Sequence, residues 1–157
     1  MRNIRIMYQY DGSKYYGFQR QKNKDTVQGD IEKIVFSKFN EKINMTSSGR
    51  TDRGVHALGQ VSNFSISKRI PLDAIKQQIN KTLRGKVKIL SIEEIHADFN
   101  ARFDAKRRTY LYVLKNESKI TPFEAPYVTS IKEEIDIDKL QLIFQPLTGV
   151  HDFSSFA

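Results

Sequence analysis

The densest group of chemically active side chains lies between Gly49 and Gly59. This segment reads Gly-Arg-Thr-Asp-Arg-Gly-Val-His-Ala-Leu-Gly, so it places an aspartate, a histidine and two arginines among three glycines. Glycine permits positive φ and close backbone approach, which suits a loop that presents side chains to a ligand. Positive charge on either side of Asp52 favours its ionised form, and an ionised carboxylate can act as a nucleophile or a base. The alternative is a polar turn held by an Arg–Asp pair, which composition alone favours slightly.

Other catalytic and metal-binding patterns are absent around this loop. The segment has no second carboxylate for glycosidase-like pairing, and it lacks the Gly-Lys-Ser/Thr ending of a phosphate-binding loop. His56 has no partner at metal-ligand spacing, because His96 and His151 are remote in the sequence. The chain has no cysteine, which excludes disulfides, thiolate metal sites and cysteine nucleophiles. We therefore predict no metal site, and we predict that His56 positions the loop.

The chain is strongly basic, with a net charge of +8 and a pI near 9.6. Such a charge attracts polyanions, of which nucleic acid is the commonest, although solubility alone can also account for it. A hydrophobic fraction of 39% is enough for a globular core. The N-terminus lacks a signal-peptide pattern, and no apolar run approaches the roughly 18–20 residues that span a bilayer. We expect a soluble, cytoplasmic protein with no membrane partner.

Hydrophobic periodicity predicts an α+β fold. Residues 2–10 alternate apolar and polar side chains as a strand does, and Asp25 or Thr26 caps a helix with apolar residues at helical spacing. Pro71 suits the first position of a second helix, which Gly85 ends. The remaining predicted strands cover residues 43–48, 60–67 and 86–95. The order β-α-β-β-α-β is the ferredoxin-like arrangement, in which two helices cover one face of a four-stranded antiparallel sheet.

The character of the chain changes after residue 98. The run Thr109–Leu114 has strong β propensity, and Asp136 can cap a last helix. We therefore expect an N-terminal ferredoxin-like half over residues 1–100 and the first part of a second α+β half over residues 101–157. The chain ends without a cap, a stop signal or a polar tail, so we expect this second half to be truncated.

The segment Gly-Arg-Thr-Asp-Arg-Gly-Val-His-Ala closely resembles the signature of the tRNA pseudouridine synthase A family. Further blocks resemble that family in the same order along the chain. They are Tyr10-Asp11-Gly12 with Tyr16-Gly17-Phe18-Gln19-Arg20-Gln21, Thr26-Val27-Gln28-Gly29, Phe99-Asn100-Ala101-Arg102-Phe103-Asp104-Ala105 with Arg108-Thr109-Tyr110-Leu111-Tyr112, and His151-Asp152-Phe153 with Phe156. The resemblance implies the pseudouridine synthase fold, and it overturns the interpretation of the loop as a simple polar turn.

The resemblance also implies an activity, the isomerisation of uridine to pseudouridine in the anticodon stem-loop of tRNA, at tRNA positions 38 to 40. Asp52 matches the catalytic aspartate, which either attacks the ribose C1′ or takes a proton from C2′. Tyr110 matches an active-site tyrosine that stacks against the uracil, and Arg50 matches an arginine that holds the target nucleotide out of its stem. No cofactor or metal is implied, and the parent protein is expected to be a homodimer.

The larger departure of this chain from the family pattern lies in the second half. The family's second half carries an arginine that pairs with the catalytic aspartate, and this chain has no block that supplies it. The chain by itself is therefore expected to lack part of the site and could be inactive, although the parent protein is expected to be an enzyme.

Basic side chains in three parts of the chain are expected to contact the RNA. They are Arg20, Lys22, Arg53, Lys106 and Arg107. A competing interpretation is a non-catalytic RNA-binding module, because the RNA recognition motif has the same ferredoxin-like sheet. That module carries the pattern Lys/Arg-Gly-Phe/Tyr-Gly/Ala-Phe, which this sequence does not contain.

Overall fold

The computed structural model describes residues 1–156, so Ala157 of the predicted second half lies outside the described residues. The chain divides into two compact units, the first Met1–Tyr110 and the second beginning at Leu111. Residues 101–110 belong to the first of these units, and the family's domain boundary at residue 100 stays a prediction. Within the described residues, no helix has both the length and the apolar character needed to cross a membrane.

The first unit contains the predicted ferredoxin-like fold. Its strands are β1 (Arg2–Tyr10), β2 (Thr46–Ser47), β3 (Ala57–Ile66) and β4 (Val87–Ile95), and its helices are α1 (Val27–Phe39) and α2 (Leu72–Thr82). The sheet order is β2-β3-β1-β4, and every neighbouring pair is antiparallel. The predicted β-α-β-β-α-β order is therefore confirmed, together with the α+β class.

Alternation along β1 builds the core of this unit. Ile4, Ile6, Tyr8 and Tyr10 point to one side of the sheet, and all four are at most 4% exposed. The apolar stripes of α1 and α2 pack against the same buried cluster. Burying a side chain of this size stabilises a fold by about 1.5–3 kcal/mol, so the sheet and both helices depend on one another.

The ends of three elements differ from the prediction. β3 begins at Ala57, three residues before residue 60, because Tyr10 pairs with Ala57 beyond a bulge that gives β3 one extra residue. The strand predicted over residues 43–48 is only Thr46–Ser47. Pro71 lies at the N-cap with ψ of 129°, outside the helical region, so α2 begins at Leu72 and not at the proline.

The second unit holds a small parallel pair of strands and one helix. β5 (Leu114–Asn116) pairs with β6 (Thr129–Ile131), and α3 (Ile137–Phe144) begins after the predicted cap Asp136, whose side chain accepts from the Lys139 N–H at 3.0 Å. Short 3₁₀ turns complete the structure, one in the first unit and three in the second: Gly12–Lys14, Glu117–Lys119, Gln145–Leu147 and Ser154–Phe156.

The β-prone run Thr109–Leu114 forms a strand only at its last residue, where β5 begins. Residues 109–113 form no ladder with any strand among residues 1–156, and Tyr110, Leu111 and Tyr112 are at least 70% exposed. Strand propensity reflects packing against neighbouring strands rather than a backbone preference, so β-prone residues form a strand only where a neighbouring strand pairs with them. The Thr129 N–H donates to the Val113 carbonyl oxygen at 2.8 Å, next to the start of β5.

Candidate functional site

Asp52 opens a tight turn whose shape depends on a glycine. The Val55 N–H donates to the Asp52 carbonyl oxygen at 3.2 Å, and Gly54 between them has φ of 84°. Glycine adopts positive φ at this third position of the turn without steric cost. Asp52 is the first residue of the turn and is exposed to solvent.

The backbone before and within the turn is fixed by residues 10–18, the segment that runs from the end of β1 toward α1. A Cβ at Gly12 would collide with the Val55 carbonyl, and a Cβ at Gly17, which has φ of 112°, would lie 3.4 Å from the Thr51 carbonyl oxygen. The Phe18 N–H donates to that same oxygen at 3.0 Å. The hydroxyls of Thr51 and Tyr10 are 2.8 Å apart, so β1 also holds the turn.

His56, which follows the last residue of the turn, contacts Asp11 and Gly12 at the start of the segment 10–18. Its Nδ1 lies 3.2 Å from the Gly12 nitrogen and 3.1 Å from Asp11 Oδ1. A neutral ring with a free Nδ1 lone pair accepts from the Gly12 N–H, whereas a ring protonated at Nδ1 donates to the carboxylate. Either contact ties His56 to residues 11 and 12, as expected for a residue that positions the loop.

The Asp11 carboxylate has further partners of its own. It accepts from the Ser13 N–H at 3.0 Å and from the Ser13 hydroxyl at 2.6 Å. Burial acts to raise the pKa of Asp11, but the hydrogen bonds from Ser13 and the charges of His56 and Lys14 outweigh it and lower the pKa. Asp11 therefore stays ionised and acts as a fixed anchor beside the turn.

Neither Arg50 nor Arg53 binds the Asp52 carboxylate. The Arg53 guanidinium lies 4.8 Å from the centre of the half-exposed Tyr16 ring, which the Lys24 ammonium also approaches to 5.3 Å. Within residues 1–156 the Asp52 carboxylate has no hydrogen bond and no ion pair. The turn is therefore not the Arg–Asp pair that composition alone favours.

Arg50 and Arg20 line one polar pocket of about 280 Å³. A third arginine, Arg102, reaches the same pocket from the segment that follows β4. The Arg20 Nη1 is 2.6 Å from the Glu32 carboxylate, so this predicted RNA contact is already engaged within the protein. The other residues that line the pocket are Phe18, Gln19, Gln28, Asn44, Met45, Thr46 and Ser47.

The segment that leads to Tyr110 is tied to the start of the glycine-rich loop. Arg108 donates from Nε to the Ser48 carbonyl oxygen at 2.7 Å and from Nη2 to the Arg102 carbonyl oxygen at 3.2 Å. The buried Gln60 side chain accepts from the Ser48 hydroxyl and donates to the Gly49 carbonyl. This network fixes the chain two residues before Tyr110, whose own ring is 70% exposed.

The structure brings some of the predicted residues together and leaves others apart. Arg20 and Arg50 share the pocket, whereas Lys22, Lys106 and Arg107 are exposed and do not line it. Arg102 and Tyr16 are not among the predicted site residues, although both belong to the blocks that carry the resemblance. Among residues 1–156, no three histidine, aspartate or glutamate side chains form a group that could hold a metal ion.

Comparison with known proteins gives consistent matches. A family model described as tRNA pseudouridine synthase matches residues 6–104, which include the Asp52 turn. The tRNA pseudouridine synthase A of Borrelia turicatae is 40% identical over 157 residues, and that of Caldicellulosiruptor bescii is 39% identical over 156 residues. The alignments cover 100% and 99% of this chain and 64% of each relative. The chain therefore spans about 64% of the length of these curated relatives.

Proposed function

This chain belongs to the tRNA pseudouridine synthase family, and we propose that the protein isomerises uridine to pseudouridine in tRNA with Asp52 as its catalytic carboxylate. The proposal extends the family assignment to a reaction and to a residue. Its main support is the geometry of the Asp52 turn, and the two other site residues follow from the resemblance.

The observation that carries the proposal is a rigid turn with an unengaged carboxylate. Gly12, Gly17 and Tyr10 hold the backbone on both sides of Asp52, and the carboxylate itself has no partner among residues 1–156. A reacting group needs a backbone that is fixed in advance and a functional end that is available to the substrate. A structural aspartate would instead direct its oxygens to nearby N–H groups, as Asp11 does.

The proposed reaction rearranges the nucleoside without any co-reactant. The N1–C1′ bond breaks, the uracil rotates while it stays bound, and C5 forms a bond with C1′. The C5 proton leaves, and N1 gains a proton, so atoms and electrons balance. Asp52 acts either as the nucleophile, whose bond to C1′ breaks when C5 bonds to C1′, or as the base that removes the C2′ proton and returns it to C2′ as C5 bonds to C1′. Both roles need the ionised carboxylate.

Tyr110 and Arg50 are proposed to handle the uridine. A base in a stem must be flipped out before a carboxylate can reach its sugar, at a cost of a few kcal/mol. The exposed Tyr110 ring offers a stacking face, which offsets roughly 1–3 kcal/mol of that cost. The exposed Arg50 is placed two residues before Asp52, where its guanidinium can hold the flipped nucleotide away from its stem.

The finer details of the substrate and the assembly belong to the same proposal. The substrate is the anticodon stem-loop, with uridines at tRNA positions 38 to 40, and the whole protein is a cytoplasmic homodimer. A net charge of +8 favours the approach of RNA. The exposed side chains of Lys22, Arg53, Lys106 and Arg107 are proposed to contact phosphates.

A substitution of Asp52 tests the proposal. In the whole protein that contains this chain, Asp52→Asn keeps the size of the side chain and removes its charge. Pseudouridine formation in a tRNA transcript is expected to fall by about 10²–10⁴-fold or more, the scale of losing a catalytic base, while tRNA binding is retained.

Asp73→Asn is the matched control, because Asp73 is an exposed aspartate in the first turn of α2 and outside the site. It should leave product formation unchanged. Equal activity of Asp52→Asn and the wild-type protein would remove the assigned role. Binding of tRNA with no pseudouridine from any of the three proteins would instead favour the non-catalytic RNA-binding module.

A further inference from the structure

The pocket beside the Asp52 turn is lined by three arginines, and carboxylates of the protein do not neutralise all of their positive charge. Its three arginines come from three separate segments: Arg20 from the first loop, Arg50 from the glycine-rich loop and Arg102 from the segment after β4. Of these three arginines, only Arg20 has a carboxylate partner among residues 1–156. Arg50 and Arg102 therefore line one small polar space without a counter-ion from the described part of the chain.

Glu32 does not cancel that excess charge. This carboxylate is 7% exposed and lies behind Arg20, where it also accepts from the Gln28 amide at 2.9 Å and from the Met45 N–H at 3.0 Å. Both carboxylate oxygens of Glu32 are therefore bound to residues that line the pocket. Glu32 therefore holds Arg20 in place, and Arg50 and Arg102 are left to bind an anion.

Arg102 is held ready for such an anion by its backbone. The Arg102 N–H donates to Asn100 Oδ1 at 3.0 Å, and the Arg102 carbonyl oxygen accepts from Arg108 at 3.2 Å. The guanidinium itself lies 5.7 Å from the centre of the exposed Phe103 ring, a weak contact that leaves its N–H groups available. A fixed backbone with an available guanidinium reduces the ordering cost of binding.

We propose that this pocket binds a backbone phosphate of the RNA, with Arg102 and Arg50 as its charged donors. A guanidinium presents parallel N–H groups that match two phosphate oxygens and adds a positive charge to these hydrogen bonds. The amides of Gln19 and Asn44 and the hydroxyl of Thr46 line the same space as neutral polar groups. The inference rests on the proposed function in taking RNA as the ligand, and it adds Arg102 as a positioning residue.

The position of the pocket near Asp52 suggests what a bound phosphate would do. Arg50 lies in the pocket and two residues before Asp52, so a phosphate bound there fixes the RNA strand close to the reacting carboxylate. A contact to phosphate sets the register of the strand and carries no sequence information by itself. The pocket is therefore expected to change affinity and positioning without changing which base is accepted.

The test compares two arginine substitutions in the salt dependence of binding. Arg102→Gln and the control Arg84→Gln are made in the whole protein, and Kd for a tRNA transcript is measured between 50 and 200 mM salt, a range in which counterion release is readily seen as a change in affinity. Arg84 is an exposed arginine beyond α2 that does not line the pocket. Arg102→Gln should bind roughly tenfold more weakly, the scale of losing a charge-assisted hydrogen bond. The slope of log K against log salt should fall by about 0.7–0.9 for the lost phosphate contact.

Several results would overturn the pocket assignment. A slope for Arg102→Gln that equals the slope for Arg84→Gln would show that Arg102 contacts no phosphate. Circular dichroism checks folding, and if Arg102→Gln is unfolded then Arg102→Met replaces it, because methionine keeps the apolar stem over Phe103. The same loss of slope is expected for Arg102→Met, and an unchanged slope would again reject the pocket.

The failure of this inference and the failure of the proposed function give different results. The slopes are measured in an Asp52→Asn background, and pseudouridine is assayed separately with Asp52 intact. Product formation with no difference in slope rejects the pocket and keeps the reaction. A difference in slope without any product keeps the pocket and rejects the reaction.

Discussion

At the scale of single residues, two aspartates near the same turn have opposite surroundings. Asp11 is surrounded by hydrogen-bond donors and has a lowered pKa, whereas Asp52 has no partner within residues 1–156. The sequence predicted that Asp52 would be presented by a glycine-rich loop, because glycine spacing is visible in the chain itself. It did not predict that Arg53 would turn to Tyr16, since a contact between residues so far apart along the chain depends on the fold.

Gly12 is the residue on which the position of Asp52 depends most directly. In Gly12→Ala the new Cβ must displace the Val55 carbonyl at the end of the turn. Overpacking of this kind costs typically about 1–3 kcal/mol in the free energy of unfolding, which urea denaturation measures. Pseudouridine formation should fall by roughly 10²-fold, because a displacement of about 1 Å at a reacting group has an effect of that size.

Gly59→Ala serves as the control for this substitution, because nothing lies within 4 Å of a Cβ at Gly59. It should leave both stability and activity near those of the wild-type protein. If Gly12→Ala behaved in the same way as Gly59→Ala, the turn would not be held by the close approach described above.

At the scale of elements, the well-predicted parts are those with a strong local signal. Alternation in β1, the cap at Thr26 and the cap at Asp136 each predicted an element where the structure has one. Two features depend on strand pairing, which no local pattern encodes: the start of β3 at Ala57, and the absence of a strand at residues 109–113. The pocket has the same origin, since Arg20, Arg50 and Arg102 meet only after the sheet has formed.

The N-terminus of α1 links the helix to the loop beside the site. Thr26 Oγ1 accepts from the Gly29 N–H at 3.2 Å, and the Gln28 N–H donates to the Phe18 carbonyl oxygen at 3.0 Å. Thr26→Ala removes the cap from a residue that is 1% exposed, so we expect a loss of about 1–2 kcal/mol in the free energy of unfolding.

Urea denaturation measures this loss, with Thr82→Ala as the control. Thr82 is an exposed threonine at the end of α2 and does not cap a helix N-terminus. A loss for Thr82→Ala as large as the loss for Thr26→Ala would show that the cap contributes nothing specific to α1.

At the scale of the whole molecule, the two units differ in how much they bury. Twenty hydrophobic side chains form the buried cluster of the first unit, whereas none of residues 111–155 is buried. Local stability depends on buried apolar contacts, so the backbone hydrogen bonds of the second unit should open more easily than those of the first. Length and composition could not predict this difference, because both parts of the sequence contain many apolar residues.

Hydrogen–deuterium exchange of the 157-residue chain measures this difference. Amides in β1, β3 and β4 should stay protected long after those of β5, β6 and α3 have exchanged, because only the first three strands border the buried cluster. Equal protection of the two sets would show that the second unit is as stable by itself as the first.

The central claim is that Asp52 is required when the uracil changes its bond to the ribose. Because the C5 proton is released in that step, tRNA labelled with tritium at C5 of its uridines reports the reaction directly. The account predicts that the whole protein releases tritium to water and that Asp52→Asn, at equal bound tRNA, releases it about 10²–10⁴-fold more slowly or not at all. Release at the wild-type rate by Asp52→Asn would contradict the account.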